Sequence, residues 1–280
     1  MKTISRPAID RELLEERLDS EGAFLESALQ EASTRAEVLS DLVSAAAAFA
    51  GYQAASGAKL SELCRILRLG AQAAAAMFSL AGGTGEVEIA LGDRRARLPA
   101  TGPTDATHIG NWRTGWWLAT VVGDDDCRER LASTPISVLR GSSTRGDECQ
   151  YLFIEALQRH EQGAPDWGDK LEAALDATDP AKTRLMAEDY VLNILVPEMQ
   201  LVFQLAIGEV APFNDALVFA LERHKKYWSK PDRARDPDGF LALGAIAIAG
   251  LAHEAGMPID CASDYAPREL IEGACRSSSS

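Results

Sequence analysis

Four histidines carry the side chain best suited to proton or metal chemistry near neutral pH, because imidazole changes charge there without help from its surroundings. They stand at His108, His160, His224 and His253, tens of residues apart, and no two have the i, i+4 spacing that aims a pair of imidazoles at one metal from a helix face. His253-Glu254 opens an H-E-x-x-H motif that the next residues do not complete. The hydroxyls of Gly141-Ser142-Ser143-Thr144-Arg145-Gly146 lack the G-x-S-x-G spacing and the preceding strand that present a serine nucleophile, so the segment reads as a loop. Asp124-Asp125-Asp126 would need a central glycine and a terminal glutamate in a twelve-residue loop to hold calcium; negative charge at a helix start explains it instead. Gly82-Gly83-Thr84-Gly85 leads from helix to strand, the reverse of a phosphate-binding loop.

Cys64, Cys127, Cys149, Cys261 and Cys275 are odd in number and scattered, with no C-x-x-C pair, so neither a disulfide framework nor a zinc site is expected. They read as ordinary thiols of a reducing compartment. The expectation is therefore no catalytic, metal or cofactor site.

The large aromatics are more informative. Trp112 and Trp116 lie at i, i+4 with Trp117 adjacent, and His224, Tyr227 and Trp228 crowd one helix end. Indoles commonly fill cores, where they bury large areas and need a partner for one N–H. Trp, Tyr and Arg also dominate the anchor points of protein interfaces. These six residues, with Asp264 and Tyr265, are the candidates for partner contact.

A formal charge of −14 over 280 residues opposes binding to nucleic acid or to anionic lipid, and would draw a basic protein partner. The longest apolar run, Phe240 to Ala252, falls short of the ~20 residues that cross a bilayer and reads as a buried core helix. Met1 to Pro7 runs into the charged stretch from Asp10 to Asp19, leaving no apolar export signal. A cytoplasmic protein is expected.

The elements that would position these residues are helices. Leu14, Leu18, Leu25 and Leu29 form one stripe; Leu39, Leu42, Val43, Ala46 and Phe49 a second; Leu60, Leu63, Leu67, Ala71, Ala74 and Phe78 a third. Alternation at Val87, Ile89 and Leu91, then at Ala96 and Leu98 beyond Gly92-Asp93, predicts a β-hairpin. Helical pairs follow at 111–122 with 126–132, 149–162 with 167–177, and 188–207 with 213–228, the last interrupted near Pro197. Asp236 and Pro237 predict the start of a helix that runs to Ala255 and stops at Gly256. The expected fold is mostly α, an array of antiparallel helical hairpins with one small β-hairpin. Residues 1–275 would form a single helical domain, divisible into a bundle at 1–80 and stacked pairs at 107–275 joined by the hairpin at 86–98. Residues 276–280 would be a disordered tail.

The order of Leu98-Pro99, Gly110-Asn111-Trp112, Trp116-Trp117-Leu118-Ala119, His224-Lys225-Lys226-Tyr227-Trp228, Asp236-Pro237-Asp238-Gly239, Leu243-Gly244, Ala255-Gly256-Met257-Pro258-Ile259 and Ser263-Asp264-Tyr265-Ala266-Pro267 resembles the bacterial immunity protein 49 family. The resemblance covers the chain from Leu98 onward. It implies a protein of a polymorphic toxin system that neutralises a cognate toxin by protein–protein contact, needing no nucleophile or metal. A basic toxin would be captured faster by the negative charge. Two other readings share much of this physics: a helical-repeat scaffold or regulator for an endogenous protein, and an enzyme with a dispersed site, which would require a deep polar pocket joining His224, Asp264 or His253.

Overall fold

The computed structural model describes residues 2–276. Three long helices open the chain. The carboxylate of Asp10 accepts the N–H groups of Glu12 and Leu13 at 2.9 and 3.1 Å and so starts α1, Arg11–Glu31. Helix α2, Leu39–Ser56, ends where Gly57 takes φ of 72°, a left-handed conformation that costs glycine nothing. Helix α3, Leu60–Gly82, follows directly. Strands β2, Glu86–Leu91, and β3, Arg94–Pro99, pair antiparallel with Ile89 opposite Ala96 and Val87 opposite Leu98. The stripes and the alternation read from the sequence fall within these elements.

The helical pairs also form. Helix α4, Ile109–Val122, turns at Gly123 into α5, Asp125–Ala132, whose first turn is capped by Asp124 accepting the Cys127 N–H at 3.0 Å. A short α6, Ile136–Gly141, has no counterpart in the sequence reading; α7, Glu148–Glu161, then packs against α8, Trp167–Asp176. The next pair begins with α9, Glu188–Tyr190, widens into a π turn at Val191–Leu195, and continues as α10, Val196–Ile207. The interruption comes immediately before Pro197, which has no N–H to give the preceding turn. Helix α11, Val210–Trp228, returns alongside.

Two expectations need correction. The helix anticipated from Pro237 is split: Pro237–Gly239 is a single 3₁₀ turn capped by Asp236, and α12 spans only Leu243–Glu254. The Ala242 N–H is spent on the Tyr265 carbonyl at 2.8 Å, so the chain cannot run helically through it. Second, the thiols are not all free. Cys64 on α3 and Cys275 form a disulfide across 211 residues of sequence, while Cys127, Cys149 and Cys261 are free and buried. The apolar run 240–252 forms the buried α12 as expected, while by length and composition Leu60–Gly82 and Glu188–Ile207 both reach bilayer-spanning size. The first is a core helix, with 78% of its apolar window buried; only 44% of the second is.

The two ends of the chain meet through a feature the alternation did not reveal. Strand β1, Lys2–Ile4, pairs in parallel with β4, Cys261–Ser263, just before the last short helix, α13, Arg268–Ile271. The expected tail falls on residues 277–280, outside the described residues. Arg276 itself is packed: its guanidinium donates to the Thr120 carbonyl at 3.1 Å and pairs with Glu254.

Helix α3 lies at the centre, between α2 and α4. Small residues make the close approach possible. A methyl group at Gly70 would lie 2.8 Å from Leu118 and 2.9 Å from Ala46, and one at Gly115 would overlap Ala74. One cluster of buried apolar side chains runs from Ile4 through α2, α3 and α4 to Cys275.

Candidate functional site

Helix α4 turns its tryptophans inward, because Gly115 brings its backbone against α3 and leaves the indoles to fill the space on either side. Trp112 is fully buried, donates its indole N–H to the Leu131 carbonyl at 2.9 Å, and stacks on Trp116 with centroids 5.1 Å apart. Trp117 is tilted against Phe153 at 6.3 Å. All three are core residues with no surface to offer a partner, and the packing use of indole prevails over the anchoring use.

The second aromatic group does converge, at the end of α11. His224 is buried, with Nε2 donating to the Gly239 carbonyl at 3.1 Å and its ring edge-on to Tyr265 at 5.2 Å and tilted to Trp228 at 6.2 Å. Burial holds its pKa down to about 4, with the bond to Gly239 opposing, so the ring is neutral. Tyr227, half-buried, stacks edge-on to Trp228 and Tyr190 and lies under the Arg233 guanidinium at 3.9 Å. Tyr265 is buried, whereas Asp264 is exposed and accepts the Arg6 N–H at 2.9 Å, fixing the amino-terminal segment. Trp228 and Tyr265 line a cleft of about 290 Å³ with Arg6, Leu14, Tyr52 and Phe240. The eight candidates therefore form no single site.

A part-open cavity of about 160 Å³, lined by polar and apolar groups alike, lies between α4, the π turn, α10, α11 and α12. Arg113 and Glu198 face each other across it, with Nη1 and Oε2 3.8 Å apart, and neither atom has a hydrogen-bond partner among the described residues. Arg113 also bonds the Tyr190 hydroxyl. Burial works to lower the Arg113 pKa, but Tyr190 and Glu198 outweigh it and the guanidinium stays charged; burial pushes the Glu198 carboxyl up, with Arg113 opposing. His224 borders this cavity, but Asp264 and His253 do not. The one imidazole present is already bonded to a main-chain carbonyl, so a dispersed acid–base site joining those three residues is not assembled.

The other histidines are equally committed or scattered. His108 caps α4, its Nδ1 accepting the Gly110 and Asn111 N–H groups at 3.0 and 3.4 Å, and His160 packs edge-on to Trp167 at 4.8 Å. Among the described residues no group of three or more His, Cys, Asp or Glu could hold a metal ion.

The surface supplies what the interior does not. Of the seven large apolar side chains that stand exposed among the described residues, Leu192, Phe203, Ile207, Val210 and Phe219 all belong to the segment from the π turn through α11. Phe203 and Ile207 are separated by four residues, about one turn, so they share a face, and Leu192 stands in the π turn that leads into this helix. Val210 adjoins Ile207 across Gly208-Glu209. At the other end Arg223 lies over the Phe219 ring at 4.7 Å and reaches Asn193 at 3.5 Å, which brings Phe219 beside the π turn that carries Leu192. Hydrophobic periodicity finds the apolar face of a helix but not what covers it, so the spacing alone does not separate these residues from core. A sign was nonetheless present: from Leu185 to Glu222 the chain contains no Lys, Arg or His.

The immunity protein 49 family model matches residues 56–270. The chain belongs to the immunity protein 49 family. No curated protein and no solved structure matches it. The immunity protein 49 match takes in α3 to α12 and so includes the cavity's lining apart from Ala47, and the exposed face of α10 and α11, while β1, α1 and most of α2 precede it.

Proposed function

We propose that this immunity protein 49 family member binds a cognate bacterial toxin and neutralises it by protein–protein contact, without catalysing a reaction. The family match over residues 56–270 carries the reading. Its physical support is that inhibition requires only a rigid surface of ordinary interface size, about 800 Å² per partner, placed over the toxin's working site or locking its inactive form. A helical core crossed by close glycine contacts supplies such rigidity, and the −14 charge would accelerate capture of a basic toxin.

The compartment is less constrained than the cysteine pattern implied. A reducing cytoplasm was inferred from five unpaired thiols, and the Cys64–Cys275 bond removes that support for two of them.

Co-expression of the chain with the toxin encoded beside its gene tests the proposal. Restored growth and a stable complex on size-exclusion chromatography are expected. Growth arrest unrelieved by the chain, with no co-elution, would assign it instead to the scaffold reading.

A further inference from the structure

We infer that the outer face of the α10–α11 hairpin is the toxin-docking surface, and that it takes an apolar patch rimmed by lysine and arginine. This rests on the immunity reading and adds to it the surface and the partner's chemistry.

Three observations converge on this face. Leu192, Phe203, Ile207 and Val210 are each 41–48% exposed and Phe219 is 37% exposed, a concentration of bare apolar side chains unmatched elsewhere among the described residues. Isolated exposed apolar residues are ordinary, but a cluster on one element marks an interaction surface. Next, the charge at the Ile207–Val210 end of the face is acidic, while Arg223 over Phe219 and the exposed Lys226 stand at the other end. Glu188, Glu209, Asp215 and Glu222 are exposed around the hairpin, and only Glu222 meets a cation in the described ion pairs, Lys2 at 2.6 Å. Finally, the face is held rigidly: Asn214 donates to the Val210 carbonyl and to the Pro258 carbonyl, both at 2.9 Å, and accepts the Asp260 N–H at 2.7 Å, so the start of α11 is pinned to the chain beyond α12.

The charge selects among occupants. Two copies of this chain meeting at their Ile207–Val210 ends would bring Glu209 and Asp215 of each together, and an anionic bilayer would repel those carboxylates equally. A partner with an apolar centre and a basic rim meets both requirements, burying the leucine, phenylalanine and isoleucine side chains while its cations face Glu188, Glu209 and Asp215. From Leu192 to Ile207 the helix runs about 22 Å, and two helices abreast cover roughly half of a standard interface. The acidic rim must therefore be part of the contact.

The test uses the full chain and, as probe, the toxin domain encoded beside its gene, inactivated by substitution. The double variant Phe203→Ser with Ile207→Ser should weaken binding by at least about thirtyfold, as loss of two central anchors does. Phe24→Ser on α1, with 50% exposure, serves as control and should leave affinity unchanged. Glu209→Lys with Asp215→Lys should slow association several-fold and flatten its salt dependence. If the double variant lacks the wild-type circular dichroism spectrum, Leu192→Ser at the other end of the face replaces it, with at least fivefold weakening expected. Wild-type affinity in a folded face variant overturns the surface assignment while leaving the immunity reading intact. No binding by the wild-type chain overturns both. The assignment also fails if the face variant abolishes a wild-type dimer seen by sedimentation, or binding to phosphatidylglycerol vesicles, without affecting the toxin complex.

Discussion

The carboxylate of Asp147 accepts the backbone N–H of Met186 at 2.9 Å, joining the start of α7 to a loop 39 residues further along the chain. The same carboxylate takes the N–H groups of Arg184 and Leu185 at 2.8 and 3.0 Å, and the Asp147 N–H donates to the Gln150 side chain at 3.2 Å. Three successive amides thus share one buried charged acceptor. Asp147→Ala leaves them without it and should cost about 2–4 kcal/mol, read by urea denaturation. Early proteolytic cleavage near Leu185 should accompany the loss. Unchanged stability and cleavage would show that solvent serves the loop as well as the carboxylate does.

The Cys64–Cys275 bond closes a loop of most of the chain. Restricting the unfolded ensemble over such a length stabilises by about 2–5 kcal/mol. Cys275→Ser should lower the thermal midpoint, and adding dithiothreitol should lower the wild-type midpoint to the same value without moving the variant. A midpoint indifferent to reductant would mean that the bond is absent in solution.

Stability should fall with acidity through His224. Its pKa is held at about 4 in the folded chain against an ordinary 6.5, so below pH 6.5 the unfolded chain takes up a proton that the folded one refuses. The contribution is complete above 6.5 and is lost as pH drops towards 4, up to about 3 kcal/mol. His224→Gln can keep a donor for the Gly239 carbonyl but does not titrate. Its stability should therefore decline less between pH 7 and 4.5. Parallel pH profiles for the two proteins would remove His224 as the responsive group.

Gly115 allows α4 to touch α3 at Ala74. Gly115→Ala should destabilise by about 1–3 kcal/mol, because helix preference gains less than the overlap costs. Ala74→Gly in the same chain should recover part of that loss. Additive rather than compensating effects in the thermal midpoints would place the strain elsewhere.

Much of the helical order could be read from spacing, because Leu60, Leu63, Leu67 and Ala71 repeat at the helical period and Gly57 stops the preceding helix in a conformation that favours glycine. What escaped depends on residues far apart in sequence. The parallel pair of Lys2–Ile4 with Cys261–Ser263 is too short to leave an alternation signal, and no local rule couples Cys64 to Cys275. Pro237 looked like a first-turn proline and is one, but only of a 3₁₀ turn, since Tyr265 claims the Ala242 amide. The candidate site was legible in part. Aromatic content singled out Trp112 and His224, which the structure buries, while Phe203 and Ile207, which it exposes, look in sequence like any buried pair on a helix.

The packing of α2 against α3 also separates heredity from autonomy. The family match begins at residue 56, yet Gly70 on α3 is in contact with Ala46, and Gly51 is so close to Pro237 that a methyl group there would lie 2.5 Å from its carbonyl oxygen. A fragment cut to 56–270 would bare the flank of α3 at Gly70 that faces Ala46, and would lose Cys275 as well. In this chain the stretch that matches the family is shorter than the stretch that packs into one core.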